Sequence, residues 1–146
     1  MDIAKQQYPY SYMRYLWHGT SEQSSYNINQ YGFNRNYQGK NACRYGDGVY
    51  FATEPRYSSH DEYSVPDSRG YKLVYKCSVL VGRYGNGEEN LKEPPKDLNG
   101  ARYDSAVDNV CDPKIHVIFR DNQAYPEYLF KFRSARYKHR VSSVTF

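Results

Sequence analysis

Apolar and polar positions alternate most regularly between residues 71 and 81. Every second residue in this segment belongs to an apolar set, and the residues between them form a mixed set. The apolar set is Tyr71, Leu73, Tyr75, Cys77, Val79 and Val81, and the mixed set is Lys72, Val74, Lys76, Ser78 and Leu80. A period of two predicts a long β-strand with one face better buried than the other.

Shorter apolar runs predict the other strands, at 14–17, 49–53, 115–119 and 128–132, with a last strand at 141–146. Residues 82–104 are rich in glycine and proline and are predicted to be irregular. The polar stretch 33–47 is too long for an ordinary connection, which favours a functional loop.

Two segments carry the signals of helix ends. Thr20-Ser21-Glu22-Gln23 fits a capping box, and Gly32 is a natural end for the helix that follows. Thr53 is predicted to cap a second helix, with Pro55 in its first turn and an end near residue 63. About five strands and two short helices that do not alternate as βαβ units predict the α+β fold class.

Length and composition indicate a single domain, 1–146, with 39% hydrophobic residues and a mean hydropathy of −0.94. No apolar run approaches the roughly 20 residues of a membrane span, so no membrane association is expected. Cys43, Cys77 and Cys111 have no CxxC spacing, so neither disulfides nor a metal site is expected. The expected location is therefore a reducing one, cytoplasmic or nuclear.

The net charge of +4 is concentrated near the carboxyl end. Residues 1–130 sum to −1, whereas the rest contain five basic residues and no acidic one. These are Lys131, Arg133, Arg136, Lys138 and Arg140. Such a run can bind phosphates, although most charge runs are simply solvated.

Two polar side chains stand at the ends of predicted strands. His18 follows Tyr15-Leu16-Trp17, and Tyr50 lies in Gly46-Asp47-Gly48-Val49-Tyr50-Phe51-Ala52. A rigid strand end is a good place for a ligand-binding group. A buried histidine bonded to a backbone carbonyl, together with a core tyrosine, is the structural alternative.

Several segments, in order from residue 15 to 132, resemble the catalytic domain of the PARP family of ADP-ribosyltransferases, in its mono-ADP-ribosylating, macrodomain-associated branch. The matching segments are Leu16-Trp17-His18-Gly19-Thr20, Tyr31-Gly32-Phe33-Asn34-Arg35, Gly39-Lys40-Asn41-Ala42, Tyr45-Gly46-x-Gly48-x-Tyr50-Phe51-Ala52, Tyr57-Ser58, Tyr63-Ser64, Val79-Leu80-x-Gly82-x-Tyr84-x-x-Gly87, Pro94-Pro95, Tyr103-Asp104-Ser105-x-Val107 and Asn122-Gln123-Ala124-Tyr125-Pro126-Glu127-Tyr128-Leu129. The resemblance implies the ADP-ribosyltransferase fold, with mixed, mostly antiparallel split β-sheets and a few short helices. It places the catalytic core at about 14–132 and a basic tail at 133–146.

The resemblance also implies a site for NAD as co-substrate. His18 would hydrogen-bond the adenine-side ribose as a donor, and Gly19 would present its backbone to the nicotinamide carboxamide. Ser58 would offer its hydroxyl to the same carboxamide, Tyr63 would stack on the pyridinium ring, and Tyr50 would pack against nicotinamide and its ribose.

Three further residues complete the implied NAD-binding set. Arg35 and the loop 34–46 would cover the adenosine and the pyrophosphate. Thr20 and Tyr45 flank the two signature segments and are placed in the same set. The structural alternatives are a plain surface loop, a solvated helix surface for Ser58 and core packing for Tyr63.

The third signature position decides the reaction that the resemblance implies. Polymerising members carry a glutamate there, and alignment of residues 114–119 places Ile115 at that position. Isoleucine cannot activate a sugar hydroxyl, and a general base is worth on the order of 10²–10⁴ in rate. With His18, Tyr50 and Ile115 as the catalytic set, one ADP-ribose would be transferred by substrate-assisted catalysis to an acceptor that brings its own anion.

Two alternatives remain open at this stage. The acceptor is a protein carboxylate, including one on the chain itself, or a terminal phosphate of RNA or DNA held by the basic tail. In place of an enzyme, the chain could be a catalytically silent module that binds NAD or ADP-ribose. Release of nicotinamide distinguishes the enzyme from the binding module.

Overall fold

A computed structural model describes residues 13–33, 44–133 and 142–145, the last four as backbone only. The described residues form eight strands, two α-helices and a 3₁₀ turn at Asp121–Gln123. The strands are β1 (Met13–Thr20), β2 (Val49–Ala52), β3 (Tyr71–Leu80), β4 (Tyr84–Asn86), β5 (Ser105–Val107), β6 (Ile115–Ile118), β7 (Ala124–Arg133) and β8 (Ser142–Thr145), and the helices are α1 (Glu22–Tyr31) and α2 (Pro55–Ser58).

The strands join in the order β4-β5-β6-β2-β1-β3-β7-β8. Only β4 and β5 run parallel, and every other neighbouring pair is antiparallel. The two halves of this sheet meet at β1 and β2, which pair only at Trp17 and Ala52. The prediction of an α+β domain with mostly antiparallel, split sheets is confirmed.

The long central strand lies where the alternating pattern predicts it. Tyr75, Cys77 and Val79 are fully buried, as expected for the apolar face. Lys72 and Val74 on the opposite face are buried too. Lys72 forms an ion pair with Asp61, and Val74 lies near Pro55 of α2 and Phe130 of β7. The core divides, like the sheet, into two clusters. The larger one includes Leu16, Phe51, Tyr75 and Val79, and the smaller one consists of Ala52, Ala106, Ile115, Val117 and Phe119.

Helix α1 has a different cap from the one predicted. The capping box would make Thr20 the cap, but Thr20 is the last residue of β1 and pairs with Leu73. Ser21 caps the helix instead, and its Oγ accepts a hydrogen bond from the Ser24 backbone N–H at 3.1 Å. The predicted end at Gly32 is confirmed by its φ of 75°, which favours glycine.

Helix α2 ends much earlier than the predicted residue 63, and its cap position is Glu54 instead of Thr53. The chain leaves the helix after Ser58 because Ser64 ties it back to the sheet. The Ser64 hydroxyl lies 2.7 Å from the Ser58 carbonyl oxygen and 2.9 Å from that of Leu73. Pro55 does lie in the first turn, as predicted.

Two short strands were not predicted from the sequence. β4 lies in the segment predicted to be irregular, and β5 lies where no element was predicted. β4 and β5 have three residues each, too few for a sequence pattern, and the sheet holds them through pairs such as Gly85 with Ala106. β7 begins at Ala124, four residues before the predicted start, because its register with β3 shifts between Lys76 and Cys77 and accommodates Pro126. The predicted last strand is confirmed as β8.

Within the described ranges, no helix is long and apolar enough to cross a membrane.

Candidate functional site

His18 and Tyr50 meet where the two halves of the sheet separate. The His18 Nδ1 atom lies 2.7 Å from the Tyr50 carbonyl oxygen. A carbonyl only accepts, so Nδ1 carries the proton, and in the neutral ring Nε2 is an acceptor. Burial lowers the pKa of His18, with the bond to Tyr50 opposing that shift, so the ring is neutral near pH 7. The neutral ring therefore offers a ligand an acceptor, not the donor that the sequence suggested.

Two aromatic side chains fix the His18 ring. Phe33 meets it edge-on at 5.1 Å between centroids, and Phe51 lies at 5.4 Å. Phe33 is 4% exposed and is the last described residue before the loop 34–43. Phe33 was not predicted to be a site residue, although it stands in one of the matching segments, directly after the glycine that ends α1.

Tyr50 uses its hydroxyl to hold the chain that leads into β2. The hydroxyl donates to the Gly46 carbonyl oxygen at 2.8 Å and accepts from the Tyr45 backbone N–H at 2.9 Å. The half-buried ring packs against the smaller core cluster. Because the hydroxyl is used within the protein, any contact of the Tyr50 side chain with a ligand would be made by its ring.

Ile115 lies on the same face of the β2–β6 ladder as Tyr50. Tyr50 is opposite Val117 and Ala52 is opposite Ile115, so the two signature side chains are diagonal neighbours. Ile115 is 6% exposed and packs in the smaller core cluster, yet it also lines a cavity of about 1150 Å³. It is thus both a core residue and a wall of the site, as the sequence allowed.

Gly19 lies against the short helix α2. A Cβ atom at Gly19 would come within 2.2 Å of the Ser58 carbonyl oxygen and 2.6 Å of the Ser64 Oγ. The absence of a side chain is therefore required by the packing of the protein itself.

Ser58 is buried, which excludes the solvated helix surface considered as its alternative. Its hydroxyl donates to the Trp17 carbonyl oxygen at 3.0 Å. Because the proton is used in this way, the Ser58 oxygen can offer a ligand only a lone pair. Ser64, which anchors the same turn and is fully buried, was not identified as a site residue from the sequence.

Tyr63 is half-buried and stacks on Tyr57, with 5.5 Å between centroids and an interplanar angle of 26°. The two hydroxyl oxygens lie 3.5 Å apart. Burial, followed by this hydrogen bond, raises the pKa of Tyr63 above its usual value. Sequence reasoning missed this role of Tyr57, which stacks on one face of the Tyr63 ring.

The cavity lies beside Tyr57 and Ile115. Its volume of about 1150 Å³ exceeds the roughly 300–1,000 Å³ that is usual for small-ligand sites. Tyr45, Tyr57 and Ile115 line it, together with a mixed set of charged residues. The acidic ones are Glu54, Asp61, Glu62 and Asp108, and the basic ones are Arg56, Lys72 and Lys114. His18, Gly19, Ser58 and Tyr63 are not among its lining residues, so the predicted site extends beyond it.

Thr20 and Arg35 are the last two residues of the predicted NAD-binding set. Thr20 is 5% exposed at the end of β1, one residue from Gly19. Arg35 lies outside the described residues. In the described part of the chain, no three His, Cys, Asp or Glu side chains are grouped as metal ligands.

Comparisons with known proteins identify the family. Residues 4–97 match the family described as the poly(ADP-ribose) polymerase catalytic domain. The chain is 49% identical over 116 residues to protein mono-ADP-ribosyltransferase PARP10 of Mus musculus, an alignment that covers 78% of this chain and 12% of that protein. It is 48% identical over 125 residues to protein mono-ADP-ribosyltransferase PARP14 of Homo sapiens, covering 81% of this chain and 7% of that protein.

This chain therefore spans only a small part of the length of those two relatives. Among solved structures, the crystal structure of the PARP domain of Arabidopsis RADICAL-INDUCED CELL DEATH1 matches with a TM-score of 0.69 and 20% identity. The match covers 90% of this chain and 73% of that one. At this identity the likeness establishes the fold alone.

Proposed function

Because the chain belongs to the poly(ADP-ribose) polymerase catalytic domain family, we propose that it is a mono-ADP-ribosyltransferase that uses NAD. The nicotinamide–ribose bond breaks, and its electron pair leaves with the nicotinamide nitrogen. The ribose carbon carries positive charge until an oxygen of the acceptor forms the new bond. The names of the relatives, protein mono-ADP-ribosyltransferases, support this reaction.

The observation that carries the proposal is the environment of Ile115. The third signature position is occupied by a hydrocarbon side chain that packs with Ala52 and Val117 and lines the cavity. Such a side chain cannot remove a proton from the hydroxyl of an incoming sugar, so a second unit is not added. An acceptor carboxylate needs no such help, because it is already an anion.

The described residues suit the nicotinamide end of NAD. The face of the Tyr63 ring opposite Tyr57 can stack on the pyridinium ring, which gains cation–π stabilisation while the ring is charged. The Ser58 oxygen can accept from the carboxamide N–H, and the His18 Nε2 atom can accept from a ribose hydroxyl. The side chains of His18, Ser58 and Tyr63 are each already held by one hydrogen bond within the protein, which reduces the entropy lost when a ligand binds.

A protein carboxylate is the better candidate acceptor. Two of the five basic residues at the carboxyl end belong to strand β7, and both lie over the Tyr71 ring. Lys131 is 4.8 Å and Arg133 is 4.0 Å from the ring centroid. These two charges are therefore held on the sheet beside Tyr71, which makes them less available to the phosphate of a nucleic-acid end. Arg136, Lys138 and Arg140 lie outside the described residues.

The test is incubation of the purified chain with NAD, followed by chromatography of nicotinamide and mass spectrometry of the protein. We expect nicotinamide release and the addition of one ADP-ribose, in a linkage that neutral hydroxylamine removes, as for a carboxylate ester. A His18→Ala variant that melts like the wild type is the inactive control. Long polymer would contradict the role given to Ile115, and thermal stabilisation by NAD without nicotinamide release would favour a silent binding module.

The nucleic-acid alternative is tested separately with 5′-phosphorylated RNA as acceptor. Deletion of residues 133–146 would remove β8, which pairs with β7, so replacement of Arg136, Lys138 and Arg140 by Gln is the better variant. Labelling of RNA that depends on those three residues would favour the alternative.

Because Cys77 and Cys111 are free, the cytoplasm or the nucleus remains our proposed location.

A further inference from the structure

Asp108 places a carboxylate beside the position where the polymerising members carry their glutamate. It follows strand β5 and lines the same cavity as Ile115. Its Oδ1 atom accepts the backbone N–H of Ile115 at 3.1 Å and that of Lys114 at 3.0 Å. Residue 108 is thus joined by a hydrogen bond to the backbone of the third signature position.

Among the described residues, no ion pair cancels the negative charge of Asp108. Within the described ranges, no basic side chain lies within 4.0 Å of its carboxylate, whereas the cavity residues Glu54 and Asp61 pair with Arg56 and Lys72. The side chain is also half-buried, so solvent screens its charge less than that of an exposed carboxylate. Its field reaches the neighbouring strand, where it raises the pKa of His116 against a larger effect of burial.

We infer that Asp108 supplies the negative charge that the third signature position lacks and stabilises the ribosyl cation formed when nicotinamide leaves. This inference rests on the proposed transferase function. Asp108 acts through space and through its hold on the backbone at Ile115, so it is an electrostatic and positioning residue. The rigid backbone bonds keep the charge in place before the reaction begins, which is the condition for effective electrostatic stabilisation.

Substitution by asparagine separates the charge from the hydrogen bonds. Asp108→Asn keeps an oxygen that can accept from both backbone N–H groups and removes only the charge. We expect nicotinamide release at saturating NAD to fall about 10-fold or more, with the KM for NAD changed by less than about twofold and an unchanged melting temperature. Loss of a merely structural residue would lower the melting temperature instead.

Asp67 is the matched control. Its Oδ1 atom also accepts two backbone N–H groups of its own turn, those of Arg69 at 2.8 Å and Tyr71 at 2.9 Å. Asp67 does not line the cavity. Asp67→Asn should therefore leave nicotinamide release unchanged, which shows that removal of a turn carboxylate in general is harmless to the reaction.

A second substitution, at residue 115, tests whether the reaction needs a negative charge at this cavity wall. In the double variant Asp108→Asn/Ile115→Glu, a carboxylate returns to the same cavity wall by another route, and nicotinamide release should recover. An unchanged rate in Asp108→Asn, or a loss that Ile115→Glu does not restore, would overturn the inference. If the Asn variant does not fold, Asp108→Ser, whose hydroxyl oxygen can still accept, is compared in the same way. An inactive wild-type chain would instead contradict the proposed function.

Discussion

His116 makes the fold sensitive to acid at a strand that borders the site. It is fully buried on β6, opposite Phe51, and neither ring nitrogen has a hydrogen-bond partner among the described residues. Its ring and that of Tyr84 lie nearly perpendicular, at 5.3 Å between centroids. A buried imidazole with two unpartnered nitrogens costs free energy even when it is neutral.

The size of the acid effect follows from the pKa of this ring. Burial, helped by the nearby Arg14 and opposed by Asp108, lowers the pKa of His116 from 6.5 to about 4. Between those two values the unfolded chain binds a proton that the folded chain does not, so stability falls as the pH falls. From pH 7 to pH 4 this one group removes about 3 kcal/mol from the free energy of unfolding, and below pH 4 its contribution levels off.

The perturbation is His116→Leu, and the assay is urea unfolding followed by tryptophan fluorescence at a series of pH values between about 7 and about 4. The variant should be equally stable or up to about 2 kcal/mol more stable at pH 7, because two unpartnered nitrogens are removed. The difference between the two proteins should then grow by about 3 kcal/mol toward pH 4. Other groups, including His18 and Asp67, titrate in both proteins and cancel in that difference. Parallel stability curves for the two proteins would refute the reasoning.

Three smaller changes test the packing of the site. Gly19→Ala should destabilise the fold by about 3 kcal/mol in thermal or urea unfolding, because the new Cβ atom meets the backbone oxygen of Ser58, and a wild-type melting temperature would contradict this. Tyr50→Phe should cost about 1–2 kcal/mol of unfolding free energy, since its hydroxyl bonds two backbone groups of the preceding turn, and an unchanged urea midpoint would count against that role. Tyr57→Leu should move the pKa of Tyr63 part of the way toward its usual value in an ultraviolet pH titration, because burial remains while the hydrogen bond is lost, and a pKa unmoved by the change would exclude the contribution of the Tyr57 hydroxyl.

The sequence predicted those parts of the molecule in which one residue or one regular pattern is sufficient. The alternation at 71–81 identified β3. The end of α1 followed from Gly32, whose positive φ favours glycine. His18 and Tyr50 were singled out by their positions in predicted strands, and the resemblance to the PARP family added Ile115; His18 contacts Tyr50, and Ile115 is a diagonal neighbour of Tyr50. The roles of Tyr57 and Asp108 could not be predicted, because each depends on a contact made only after folding. Tyr57 stacks on the Tyr63 ring. Asp108 accepts a hydrogen bond from the backbone N–H of Ile115, which the intervening loop brings close to it.

The position of the site follows from the single pair that joins the two halves of the sheet. β1 continues past Trp17 as the partner of β3, while β2 turns away as the partner of β6. His18 and Gly19 therefore lie on a strand whose β2-side edge carries no further strand pair among the described residues. The protein covers that edge with the short helix α2 and the Ser64 turn, which need a glycine at residue 19 and place Ser58 and Tyr63 beside it. A continuous sheet would have used the same edge for backbone hydrogen bonds, so the separation of the two halves is what lets α2 and the Ser64 turn pack beside residues 18 and 19.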